Sequence, residues 1–173
     1  RKGGEDTGLL GTAFLMAGSS TAGNTSTLAG VARNVWKRRE HNSINYTSPK
    51  FGGFSVGAAY STGNSATAGT DVTVSAKPRV MSVAANYQAG KLTAAVGYEL
   101  HKQFGAAGTR ELDDKAFVIG ASYKLGKVDI GAAYNEQQYE IDAGSELKKK
   151  AWMIGADWSL AGPHSVGANY TQA

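Results

Sequence analysis

Two short clusters of opposite charge stand out in the first part of this chain, Glu5 with Asp6 and Lys37 with Arg38 and Arg39, with Arg1 and His41 nearby in sequence. Such a set can hold a fixed electric field in a water-filled space. Catalytic arrangements are weaker. Gly53-Phe54-Ser55-Val56-Gly57 fits a G-x-S-x-G string, but a nucleophile elbow must lead from a strand into a helix, and here alternation runs straight on. His41, His101 and His164 lie far apart without metal-ligand spacing, so no metal site and no cofactor is expected. Glu99, Asp129 and Asp157 fall on the polar faces of separate strands. A carboxylate pair can do acid-base work, but solvated wall charge is the reading adopted for them. Lys148, Lys149 and Lys150 beside Glu146 read as a rim that meets lipid phosphates or anionic solutes. Nucleic acid is not expected as a partner, since its binding interleaves basic and aromatic residues.

The elements that carry these groups are legible in a returning phrase. It reads SVGAAY at 55–60, SVAANY at 82–87, VIGASY at 118–123, DIGAAY at 129–134, MIGADW at 153–158 and SVGANY at 165–170. Bulky apolar residues fall at every second position, as in Phe54, Val56, Ala58 and Tyr60, or Trp152, Ile154, Ala156 and Trp158. That is the period of a β-strand. The alternate positions are small or polar: Ser55, Gly57 and Ala59; Asp129, Gly131, Ala133 and Asn135; Ser165, Gly167 and Asn169.

The closing aromatics at 46, 60, 87, 98, 123, 134, 158 and 170 alternate between short and long spacing. Short spacings imply tight turns, and SPKFGG, QAGK, KLGK and SLAGPH supply turn chemistry. Long spacings imply exposed loops at roughly 61–78, 102–114 and 138–149. The sequence therefore predicts eight antiparallel strands in a meander over 39–173, with Tyr46, Tyr87, Tyr123 and Trp158 forming an aromatic girdle beside the short turns. A soluble sandwich would bury the apolar face. Aromatics at one level and strands of about ten residues instead favour a transmembrane β-barrel.

Composition agrees. The 173 residues include 23 Gly, 3 Pro and no Cys, which excludes a disulfide scaffold, a thiolate metal site and a collagen repeat. No run of apolar residues is long enough for a transmembrane helix. The net charge of +4 is small. The chain opens on Arg1 without an apolar leader, and is expected to be a processed product or fragment. Residues 1–38 break the strand pattern and read as a long loop carrying a little structure of its own, of the kind that is usually functional.

At Arg39 the stretch REHNSINYTSPKFGGFSVGAAYS resembles the strand and turn after the constriction loop in general porins of Gram-negative outer membranes, the beta-proteobacterial type in particular. Repeated IGA-x-Y phrases extend the resemblance over the chain. It implies a homotrimer of water-filled sixteen-stranded barrels, of which the eight strands here would be the sixth to thirteenth. Residues 1–38 would then be a constriction-loop-like segment. Arg39, with Lys37, His41 and Arg1, would form the basic side of the constriction; Glu5 and Asp6 would be the acidic loop, and Glu99, Asp129 and Asp157 would line the pore. The function implied is a general diffusion porin of the bacterial outer membrane, not an enzyme, passing ions and small hydrophilic solutes with a mild anion preference. Its partners would be outer-membrane lipid and lipopolysaccharide. The alternative is a closed eight-stranded barrel acting as an anchor or adhesin, but small inward residues would fill so narrow a core poorly.

Overall fold

The computed structural model describes residues 26–28, 31–33, 42–62, 79–107, 110–142, 145–161 and 164–172. Two short strands, β1 (Ser26–Leu28) and β2 (Val31–Arg33), pair as a hairpin. The eight that follow are β3 (Ser43–Thr47), β4 (Phe54–Thr62), β5 (Arg79–Ala89), β6 (Leu92–Ala107), β7 (Arg110–Leu125), β8 (Val128–Asp142), β9 (Ser145–Ser159) and β10 (Ser165–Gln172). They form one antiparallel sheet in chain order, with β3 and β10 at opposite edges. The sheet is thus an open wall and not a closed eight-stranded barrel. Among the described residues no helix is long and apolar enough to cross a membrane.

Two of the tight turns have the geometry that right-twisted hairpins require. Gly90 and Gly126 take φ of 56° and 64° as the first residue of the two-residue connections between Ala89 and Leu92 and between Leu125 and Val128. A positive φ there matches strand twist and suits glycine.

Register aligns the returning phrases so that their apolar positions share one face. One cross-strand row runs Phe54, Tyr87, Ala94, Ala121, Ala132, Ile154 and Tyr170. These side chains are not covered. Val83 is 53% exposed, Ile119 47% and Ile154 50%, so the apolar face is not the interior of a soluble sandwich. An apolar surface this wide belongs against hydrocarbon.

The upper edge of that face is oblique. The last apolar side chain before a charge is Met81 on β5, Leu100 on β6, Phe117 on β7, Tyr134 on β8 and Trp152 on β9. Between β5 and β9 this edge drops by two cross-strand rows, and the lower edge drops equally, from Tyr87 on β5 to Trp158 on β9. Four residues of rise over four strand spacings is about 13 Å against about 19 Å, an inclination of about 35°. A level membrane slab meets strands tilted by that angle in just such a staircase, and barrel strands tilt by about 35–45°. On β7 the band from Phe117 to Leu125 is about 27 Å along the strand and about 22 Å in projection, close to the apolar height of an outer-membrane wall.

The expected loops at 102–114 and 138–149 are not loops. β6 and β7 continue through the first, β8 and β9 through the second, leaving only short connections at 108–109 and 143–144. Polar cross-strand pairs hold the ladder above the apolar band. Lys102 Nζ lies 2.5 Å from Asp113 Oδ2, the Asp113 amide donates to Glu140 at 3.0 Å, and Lys149 stands over the Tyr139 ring at 5.7 Å. Gln103, at φ 57°, marks a register shift, and its amide donates to Asp113 Oδ1 at 3.0 Å. Of the third expected loop, 61–78, Ser61 and Thr62 belong to β4 and 63–78 lie outside the described residues.

The face assignment predicts unequal costs for one charge on β7. Ile119→Arg, near mid-band on the apolar face, is expected to cost about 2–4 kcal/mol of folding stability in a bilayer. Ser122→Arg, on the opposite face, is expected to cost less than about 1 kcal/mol. Denaturant titration of the protein folded in lipid vesicles measures both; equal costs would remove the assignment.

Candidate functional site

The second face of the sheet carries the chemistry. Its side chains are the covered ones: His101, Asp114, Asn135, Gln137, Tyr139 and Met153 are all buried, as on the inside of a curved wall. Alternation alone decides this. Each apolar phrase sends its odd members one way, and the register stacks Ser82 against Glu99, His101 against Asp114, and Asp129 against Asp157.

Three groups of polar residues result. On β5 and β6, Ser82 Oγ donates to Glu99 Oε2, while Glu99 Oε1 lies 2.7 Å from His101 Nε2. The carboxylate stands between hydroxyl and imidazole, so this is not the order of a nucleophilic triad, in which the imidazole joins hydroxyl to acid. It is a carboxylate anchored flat along the wall. On β8, Tyr139 donates to Gln137 Oε1 at 2.7 Å. Near the tight turns, Asp129 and Asp157 are cross-strand partners, Lys124 is the register neighbour of Asp129, and the Asp157 carboxylate lies directly over Gly167. A Cβ at position 167 would collide with it.

The three carboxylates expected on this face are all there, but they do not converge. Eight residues along β7, from Ala116 to Lys124, part the row of Glu99 from that of the aspartate pair, about 27 Å along a strand. No acid-base dyad joins them. Sequence reasoning does not single out Ser82, Asp114, Lys124, Gln137 or Tyr139. The positions of opposite parity to the closing aromatics include Ser82, Asp114 and Lys124, whereas Gln137 and Tyr139 sit at the entry to a stretch whose composition reads as loop. Ser55 of the G-x-S-x-G string lies on the same face within β4, which runs on as strand to Thr62 and does not turn into a helix there. Among the described residues no cluster of three metal-ligating side chains occurs. Arg1, Glu5, Asp6, Lys37, Arg39 and His41 lie outside the described residues. Tyr46, Tyr123 and Trp158 are exposed on the apolar face, and Tyr87 is half-buried there against Phe54, with ring centroids 4.3 Å apart.

Charges on the described part of this wall sum to the acidic side: Glu99, Asp114, Asp129 and Asp157 against Lys124 and Lys149. The N-terminal hairpin is close by, with β2 lying beside β6.

A family model described as Gram-negative porin matches residues 3–173. Outer membrane porin protein 32 of Delftia acidovorans is 30% identical over 132 residues, which cover 76% of this chain and 36% of that protein. A solved structure, the anion-selective porin from Comamonas acidovorans, is 26% identical with a TM-score of 0.64, over 76% of this chain and 38% of its own. The chain spans less than half the length of these relatives.

Facing aspartates repel across the strand pair. Asp157→Asn is expected to raise stability by about 0.2–0.5 kcal/mol in low salt, and by less as salt screens the pair. Denaturant unfolding in vesicles at two ionic strengths reads both values.

Proposed function

The chain belongs to the Gram-negative porin family of the bacterial outer membrane, and from that premise we propose that it forms part of the wall of a general diffusion pore. Ions and small hydrophilic solutes pass through it down their gradients, without a chemical step. The observation that carries this is the register: within the eight strands the exposed bulky apolar side chains share one face, and the Gly, Ser, Asn and Asp residues of the returning phrases take the other. A wall of that kind separates hydrocarbon from water.

Unpaired strand edges are not tolerated in hydrocarbon, so β3 and β10 are sealed by further strands of the assembled barrel. That favours a wide barrel over a closed eight-stranded anchor, as do the glycines, alanines and serines of the polar face. The trimeric state follows the family resemblance. In the same reading Tyr46, Tyr87, Tyr123 and Trp158 are interface anchors, Glu99, Asp129 and Asp157 line the pore, and lipid and lipopolysaccharide surround it.

Residues 1–38 narrow the lumen in this reading, a role supported by β2 lying beside β6. Arg39, Lys37, His41 and Arg1 then face Glu5 and Asp6 across the constriction. Anion preference is supported by the likeness to the anion-selective porin from Comamonas acidovorans and by Lys37 to Arg39 outnumbering the two acids. The acidic excess on the described wall works against it, so selectivity must be set where the passage is narrowest.

Planar-bilayer recording of the full-length protein tests this. Steady channels with a reversal potential on the anion side are expected in a KCl gradient. Arg39→Ala is expected to lower the anion-to-cation permeability ratio by about twofold or more. A folded protein that carries no current ends the porin reading, and a ratio unmoved by Arg39→Ala ends the assignment of Arg39.

A further inference from the structure

The hydrocarbon face is not uniform. A groove of about 590 Å³ crosses it, floored by Ala94, Ala121 and Ala132, which are direct register neighbours on β6, β7 and β8. Phe54 and Tyr87 wall one side and Trp152 the other, each ring held by another: Phe54 by Tyr87, and Trp152 by Tyr170 at 5.4 Å. The methyl floor is lower than its walls because every neighbouring row carries Val, Ile or an aromatic.

Above the groove, on the same face and the same strands, the first polar rows carry Lys115, Lys148 and Lys150 with Gln138 and Glu136. Three ammonium groups stand against one carboxylate there. Their partners hold them loosely: Lys150 is 3.8 Å from Glu136 and Lys148 is 3.7 Å from Glu146, which sits one row higher. The Tyr134 hydroxyl donates to Glu136 at 2.9 Å and so occupies part of that carboxylate. Exposed pairs of this length are weak, and a phosphate can replace them with charge-assisted hydrogen bonds.

From the lysine row of Lys115 and Lys148 to the floor row is six residues on each strand, about 20 Å, the reach of an acyl chain hanging from a head group at the membrane edge. We propose that the groove and the lysines above it form a binding site for one phosphorylated acyl lipid of the surrounding membrane. A chain in the groove gains little from leaving water, because bulk lipid is as apolar as the groove. It gains close packing against fixed methyls and rings, while the phosphate supplies the affinity and selects charged lipids over neutral ones. The site rests on reading the apolar face as membrane-facing, the basis of the porin assignment.

Native mass spectrometry of the full-length protein, stripped of lipid and then given diphosphorylated lipid A, tests the proposal. Retention of lipid A is expected, with at least tenfold less retention of its dephosphorylated form. Lys115→Gln with Lys148→Gln is expected to lower lipid A retention about tenfold. Ala121→Trp, or Ala132→Leu as a milder filling of the floor, is expected to lower it similarly while the β-sheet circular dichroism and channel conductance stay as in the parent. Equal retention of both lipid forms, or displacement by equimolar inorganic phosphate, overturns the proposal. So does full retention in the filled variants. Loss of oligomer in those variants in place of lipid would assign the groove to a second copy of the chain and overturn it as well. A protein that retains lipid A as expected but passes no current would refute the porin reading alone.

Discussion

Every backbone N–H and C=O inside a bilayer must find a partner within the protein, since hydrocarbon offers none and each orphan costs several kcal/mol. The other features of this wall follow from that demand. An antiparallel ladder meets it only if strands run unbroken through the apolar slab, and the six strands β4 to β9 do so with no register shift inside the band. The shifts fall at His101 to Gly105 and at Glu140 to Asp142, beyond Leu100 and Tyr134, where water is available again. Irregular backbone is thus confined to the part of the sheet that can tolerate it.

Once the ladder is fixed, side chains have no freedom over which way to face. Period-two alternation sends half of them into lipid and half onto the polar wall, and a slip of one residue would reverse all of them. The phrase ending in an aromatic encodes this register repeatedly, which is why the meander, its faces and its tight turns are legible without coordinates. The aromatic also marks depth. Tyr87, Tyr123 and Trp158 step down the face with the strand tilt, and Trp152 and Tyr134 mark the opposite edge.

What the sequence conceals has a physical origin too. Stretches such as HKQFGAAGTRELDD and QQYEIDAGSELKK are mostly polar or glycine and carry no sustained apolar alternation, and such composition reads as loop. That equation holds where a strand's stability comes from one buried face. Above a membrane neither face need be apolar, and cross-strand partners such as Lys102 with Asp113 sustain the ladder instead. The outward lysines are equally hidden in function: KKK at 148–150 looks like one charge run, yet alternation sends Lys148 and Lys150 toward the membrane side and Lys149 onto the polar wall, over Tyr139.

The polar wall raises a question of sign. Its described carboxylates outnumber its lysines, yet a wide aqueous passage lets counter-ions gather on fixed charge within about 8–10 Å at physiological salt. Glu99 is further muted by the hydroxyl and imidazole it already holds, and Asp129 has Lys124 as its neighbour in register. Charges spread along a broad wall therefore act locally, on ions that can pass at a distance. Where the passage narrows below the screening length, no ion can avoid the field, and a few residues outweigh the rest. A net acidic wall and the proposed anion preference are compatible on that condition, and the proposal that Lys37, Arg38 and Arg39 act against Glu5 and Asp6 rests on it.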